Sequence, residues 1–370
     1  MDYSHDEQQQ EVAGLAATIL DDIVTPDHLA ALASSGAAYD ERTWRELARA
    51  GLLGIALPEA HGGSGAGLVE LGLVVEHAAR VNAPLFLVET AVAAAGAVAH
   101  LGTEAQRARL LPGFAAGESL LSAAIARRST ASPGFTATRS DGVLVVDGAA
   151  AHVPLAAVAD RVLLPVTDAE GHRGLVLVAP GADGVTLVEH PSVDRQRRWR
   201  LEAAGVRVDL EDVVVAPTAA SAEAMEWFDV LVTSFRAVQQ LGTAQGALAM
   251  AAEHVRSREQ FGRPIGTFQA VSHAVADAYI DVQGIRLTTW RAVWLLDQGT
   301  SDPEAAAIAA WWAADAPVRI VETAMQVHGG VSVDLDYPLH RYFLAARQGG
   351  LALGGSGQTL LDLGDRMAVA

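Results

Sequence analysis

The 370-residue chain contains no lysine and no cysteine. Without cysteine there is no disulfide, no thiolate nucleophile, no zinc–thiolate site and no iron–sulfur cluster. Without lysine, Schiff-base catalysis by a side chain falls away, and with it the pyridoxal phosphate chemistry that depends on one. Arginine is then the only formally cationic side chain, and 26 basic residues face 44 acidic ones, for a net charge of −18. A non-specific nucleic-acid binder needs a basic footprint to release counterions, so that class is excluded. Long apolar runs are also missing. The most apolar stretch, residues 91–101, is alanine-rich and interrupted by His100, well short of the roughly 20 residues that span a bilayer. The polar, acidic start Met1-Asp2-Tyr3-Ser4-His5 is unlike the basic start of a secretory signal. A cytoplasmic protein with no membrane partner is expected. Present in abundance is apolar side-chain mass, 51% of residues against 19% charged, which argues against disorder.

Three regimes follow one another along the chain. Up to about residue 120, apolar residues recur at helical spacing, as in Trp44, Leu47, Ala50 and Leu53, then Leu68, Leu71, Val74 and Val75. Over 121–217, short β-branched runs between Gly, Pro and Asp predict a compact antiparallel β domain. The predicted strands are 142–148, 161–166, 174–179, 184–189 and 206–215. From 218 to 370 helices return: one over about 219–258, one carrying Phe268, Val271, Val275, Tyr279, Val282 and Ile285 at steps of three and four, and one over about 303–328. The expected domains are therefore 1–120 (N-terminal α), 121–217 (middle β) and 218–370 (C-terminal α bundle).

Arg258-Glu259-Gln260-Phe261-Gly262-Arg263, with Gln269 and Ala276-Asp277 behind it, resembles the signature of acyl-CoA dehydrogenases. Gln326-Val327-His328-Gly329-Gly330 and Tyr337-Pro338 resemble the second signature of that family, and Trp44, Leu57-Pro58-Glu59, Gly62-Gly63, Gly102-Thr103 and Gly117-Glu118 agree with its N-terminal third. The resemblance implies a mainly α fold: an N-terminal helical domain, a middle antiparallel β-barrel and a C-terminal four-helix bundle. It also implies FAD, an acyl-CoA substrate oxidised between its α and β carbons, and an electron-transfer flavoprotein or similar acceptor; no metal is expected. In the family's oligomers each FAD lies across a subunit boundary. The half given in trans resembles Arg258, Gln260, Phe261, Gln269, Gln326, Gly329 and Gly330 here. An arginine fork suits a pyrophosphate, and paired glycines admit it close to the backbone.

Removing an α proton from a thioester requires a carboxylate base. Counting from Tyr337-Pro338, the family's usual glutamate position falls on Leu353 or, shifted by one, Gly354. The alternative position on the first bundle helix falls near Val232, with Asp229 and Glu226 one and two turns earlier. No catalytic residue is therefore assigned. Glu322 and Asp336 are the sequence-near sites for a relocated base. The middle domain departs as well: the loop that would embrace the flavin reads residues 126–134, and His152-Val153-Pro154 stands where a tryptophan strand is usual. The resulting expectation is the non-base-carrying subunit of an α2β2 acyl-CoA dehydrogenase, of the kind found in actinobacterial sterol side-chain degradation, paired with a related chain that holds the glutamate. The alternatives are a homo-oligomeric flavoenzyme with a moved base or a monooxygenase-type reaction, and a purely structural subunit. His328 reads as a satisfied structural histidine, Trp311-Trp312 as core or subunit interface, and the run Arg195, Arg197, Arg198 and Arg200 as a solvated hairpin.

Overall fold

The structure, a computed structural model, describes residues 5–125 and 133–369. The first helices are α1 (Glu7–Ile23), α2 (Pro26–Ser35), α3 (Glu41–Arg49) and α4 (Leu68–Arg80). A π-helical segment, Val88–Ala95, runs into α5 (Gly96–Leu101), and α6 (Glu104–Ala115) follows. Side-chain caps set their starts. Asp6 and Gln9 form a reciprocal capping box on α1, and Thr103 and Gln106 form one on α6. Thr25 and Asp40 accept from the third backbone amides of α2 and α3.

Eight strands follow: β1 (Leu121–Ala123), β2 (Gly134–Ser140), β3 (Val143–Pro154), β4 (Arg161–Thr167), β5 (Arg173–Val178), β6 (Val185–His190), β7 (Arg198–Val208) and β8 (Val213–Val215). They form one sheet in the order β6-β7-β3-β2-β4-β5-β8, with β1 on β4. The pairings are antiparallel except that β1 and β2 both run parallel to β4. The strand expected over 206–215 is two strands, because a 3₁₀ turn at Leu210–Asp212 separates the end of β7 from β8.

Beyond the sheet come α7 (Ala222–Ser257), the two-stranded hairpin β9 (Glu259–Gln260) and β10 (Arg263–Pro264), then α8 (Gln269–Asp297), α9 (Pro303–His328), α10 (Leu339–Leu353) and α11 (Ser356–Val369). The third long helix has the expected bounds, with Asp302 capping it and Pro303 in its first turn. Among the described residues no helix is long and apolar enough to cross a membrane.

The chain divides into two compact units. One comprises the residues up to Ala37, Gly72–Ala83 and everything from Thr233 onward. Its core holds Leu20, Phe235, Leu241, Ile285, Val293 and Ile320. Inside it, buried Gln240 donates to the carbonyls of Ala313 (3.2 Å) and Ala346 (3.0 Å), which ties α7 to α9 and α10. The other unit comprises Ala38–Leu71 and Pro84–Val232. There Trp44 meets Phe114 edge to face at 5.6 Å, and Phe135, Leu163 and Leu175 are buried in the sheet.

Candidate nucleotide cradle and base positions

Within the first unit, the two signature segments come together at the ends of α7 and α9. His254, one turn before Arg258, stacks on His328, the residue before the glycine pair, with ring centroids 4.1 Å apart and planes 24° from parallel. The α7 ladder runs on to Arg258, whose amide donates to the His254 carbonyl at 2.8 Å. Arg258 is exposed, and its guanidinium has no hydrogen-bond or ion-pair partner among the described residues. Gln326 is exposed on the last turn of α9. Gly329 holds φ 64° and ψ −141°, a combination only glycine adopts readily, and a Cβ built on Gly330 would meet nothing within 4 Å. The glycine pair therefore presents open backbone directly after the His328 ring that His254 stacks on, and the unpaired Arg258 follows His254 by one turn.

The hairpin supplies the remaining residues. Gln260 pairs with Arg263, leaving Phe261 and Gly262 as the two loop residues, both at positive φ (54° and 78°). That is the signature of a type I′ turn. Gly262 adopts it freely; a phenylalanine there is strained by about 1–2 kcal/mol. Phe261 is 92% exposed, with its ring edge-to-face against Phe268 at 6.1 Å. Arg263 lies over Phe268 at 4.2 Å. Gln269, the next residue, is the exposed first residue of α8.

At both positions where the family's base is expected the residue is apolar. Leu353 ends α10 at 5% exposure. Gly354 follows at φ 99°, and the amide of Gly355 donates to the Gly350 carbonyl at 2.8 Å, closing the helix in a left-handed cap. A glutamate at 354 would be forced into that strained conformation. The guanidinium of buried Arg236 donates to the Ala352 carbonyl at 2.7 Å, so this turn is held by a cation and not by a carboxylate. In the second unit Val232 is buried at 7% exposure. Asp229, one turn before it, is gripped by Arg173 through both oxygens (2.8 and 2.5 Å), and that pairing holds the arginine's proton more tightly than usual. Glu226 is exposed. Of the relocation sites, Glu322 pairs with Arg347 at 2.6 Å, and Asp336 is exposed.

The loop residues 126–132 lie outside the described residues. His152 is described. It sits at φ 58° on a bulged stretch of β3, with its ring against His190 at 4.6 Å and its Nδ1 buried without a hydrogen-bond partner. Burial first, then His190 and Arg198, push its pKa below the ordinary value. The arginine run is a neutralised hairpin: Arg197 pairs with Glu189 at 2.8 Å, Arg198 with Asp194 at 2.8 Å and Arg200 with Glu202 at 2.6 Å. Three of its four charges are spoken for within the sheet. Among the described residues, one group has metal-ligand spacing, Asp168, Glu170 and His172. It is a turn in which Asp168 accepts from the amides of Glu170 (3.0 Å) and His172 (2.7 Å).

The model of the acyl-CoA dehydrogenase N-terminal domain matches residues 6–118, and that of the acyl-CoA dehydrogenase C-terminal domain matches 235–368. The acyl-CoA dehydrogenase FadE27 of Mycobacterium tuberculosis is 36% identical over 376 residues, covering 100% of this chain and 99% of that one. The chain belongs to the acyl-CoA dehydrogenase family. Among solved structures, the ChsE4–ChsE5 complex from Mycobacterium tuberculosis superimposes with a TM-score of 0.93 at 35% identity, over 100% of both chains. A variant of the Tcur3481–Tcur3483 steroid acyl-CoA dehydrogenase gives 0.91 at 39% identity, over 98% of each.

His254, Arg236 and Arg173 went unread in the sequence. His254 differs from other half-buried histidines only in lying four residues before Arg258. Arg236 and the Arg173–Asp229 pair join residues far apart in the chain, and no local spacing marks them.

Proposed function

We propose that this chain is the non-base-carrying subunit of an FAD-dependent, heteromeric acyl-CoA dehydrogenase acting in the cytoplasm on a bulky acyl-CoA, with a steroid side-chain thioester as the favoured class. The observation that carries this reading is an unpaired Arg258 one turn past the His254–His328 stack, with an open glycine pair directly after His328, in a chain whose α10 ends in buried Leu353. The residues fit a nucleotide pyrophosphate. Arg258 supplies a fork for it, Gly329 and Gly330 admit it to the backbone, and Phe261 offers an uncovered aromatic face. Gln260, Gln269 and Gln326 are exposed amides around the same segments. The bound flavin would supply the two-electron oxidation of the acyl chain. This chain's part is to hold the nucleotide, while the proton acceptor comes from a related partner chain. The heteromeric neighbours support such a partner. So does the solvent face of α8, where Ile280, Leu287 and Trp294 stand exposed seven residues apart. An electron-transfer flavoprotein is the acceptor consistent with this chemistry.

The test is co-expression with a related dehydrogenase chain, followed by flavin quantitation. We expect one FAD per two chains, and a colourless, inactive preparation of this chain alone. A yellow homo-oligomer that oxidises acyl-CoA unaided would overturn the reading. Replacing Arg258 with Ala in the complex is expected to empty the flavin site; unchanged flavin content would leave the chain a structural subunit only.

A further inference from the structure

We propose that His254 takes up a proton when a pyrophosphate diester binds at Arg258, so that anion and proton bind to this cradle together. The inference rests on the reading of Arg258, Gly329 and Gly330 as a nucleotide seat. It concerns two side chains which that reading does not use.

His328 is fixed in one tautomer. Its Nδ1 faces the Ala324 carbonyl at 2.7 Å and therefore carries the hydrogen, leaving Nε2 to accept from the Tyr337 hydroxyl at 3.0 Å. That ring is buried and its polar atoms are satisfied. His254 differs. It is half-buried, stacks face to face on His328, and its ring nitrogens have no hydrogen-bond partner among the described residues. Among the described residues, the titratable and charged groups bearing on the pair are Arg258 at the end of α7 and Tyr337 in the segment after α9, and no carboxylate bears on either ring. Burial, the neighbouring His328 and the Arg258 charge all push His254 below the ordinary histidine value, and burial does the same to His328.

In the free protein, then, a proton on His254 is opposed by a cation one turn away and has no anion to offset it. An anion seated at Arg258 reverses that balance, because it neutralises the guanidinium field and attracts an imidazolium. By linkage, a ligand that raises the proton affinity of His254 binds more tightly where the proton is available. Two imidazolium rings stacked this closely would repel, so the pair takes one proton, and it goes to the ring whose nitrogens are free. No bond is made or broken; the proton comes from solvent.

The probe is ADP-ribose, whose pyrophosphate diester has no ionisation of its own near neutrality. Its binding to the co-expressed complex, stripped of flavin, is measured by titration calorimetry at pH 6.5 in two buffers of different ionisation enthalpy, and its affinity is followed from pH 8 to pH 6. We expect uptake of about 0.3–1 proton per ligand and an affinity that rises roughly three- to tenfold on acidification. His254→Phe keeps an aromatic ring for the stack and should abolish uptake and flatten the pH profile; His254→Asn serves if the phenylalanine variant fails to fold. Tyr337→Phe should leave uptake in place. Binding without proton uptake, or equal uptake in the His254 variants, overturns the inference while leaving the cradle standing. Failure of ADP-ribose to bind the flavin-stripped wild-type complex at any pH overturns the cradle reading, and the inference falls with it.

Discussion

Replacing Gly330 with alanine separates a ligand seat from a structural turn. In the free protein a Cβ at 330 meets nothing within 4 Å, and the backbone there is outside the left-handed region. The substitution therefore strains nothing, and restricting the unfolded chain should stabilise the fold by about 0.4–1 kcal/mol. A methyl group protruding roughly 1.5 Å from the backbone stands where an approaching phosphate would stand. The expected loss is one charge-assisted hydrogen bond, about 1.5–3 kcal/mol, or a roughly 10- to 150-fold weaker affinity. The assay is paired: a thermal melt of the purified chain, and the flavin-to-chain ratio of the co-expressed complex with its FAD dissociation constant. An unchanged or higher melting temperature with depleted flavin is the expected pattern. A stabilised variant that binds FAD as tightly as wild type would refute the placement of the nucleotide at this turn. Gly329→Ala is the contrasting control: at φ 64° and ψ −141° it should destabilise the chain by about 1–3 kcal/mol before any ligand is added.

Further outcomes follow from buried polar groups elsewhere in the first unit. Glu76 is half-buried, and the desolvation of its carboxyl raises its pKa against the opposing hydrogen bonds of Gln245 and Trp290 and the charges of Arg286 and Arg80. Because the folded value lies above the unfolded one, its contribution is fully present below the unfolded pKa and is lost as pH rises through the folded pKa. Glu76→Gln should remove that slope from urea melts taken between pH 5 and pH 8; an unchanged slope would contradict it. Arg236→Ala should cost about 1–3 kcal/mol through the abandoned Ala352 carbonyl, with faster amide exchange over residues 350–355; protection there identical to wild type would count against the tether. Gly349→Ala places a Cβ 2.4 Å from the Gln240 amide and should cost about 2–4 kcal/mol by displacing its two hydrogen bonds, read as a lower melting temperature. Leu353→Glu buries a carboxylate at a 5%-exposed site. It should lower stability by about 2–3 kcal/mol without giving the isolated chain acyl-CoA oxidation; activity in the lone variant would argue that the missing base alone silences it.

Much of the fold was legible because it rests on periodicity and caps. Asp302-Pro303 and Gly329 bracket α9 by local chemistry, and the strands over 161–166 and 174–179 are short β-branched runs between turn residues. Other features were not legible, for identifiable reasons. β1 has three residues, too few to show a period. The break between β7 and β8 depends on a turn inside an otherwise continuous valine-rich run. Tyr279 follows the helical spacing of its neighbours yet is exposed, since spacing does not say which flank of a face another element covers.

By itself the sequence determined the chemistry excluded by two missing residue types, the α–β–α order, the family signatures and the apolar identity of positions 232, 353 and 354. Each is a property of residue type and spacing along the chain. Only the tertiary structure decided that Arg258 is unpaired while Arg197, Arg198 and Arg200 are neutralised, that Asp229 is held by Arg173, and that His254 lies on His328. Charge pairing and stacking are settled by distances between segments far apart in sequence. A chain with a net charge of −18 can therefore still leave an arginine unpaired at the end of α7, where the nucleotide seat is proposed.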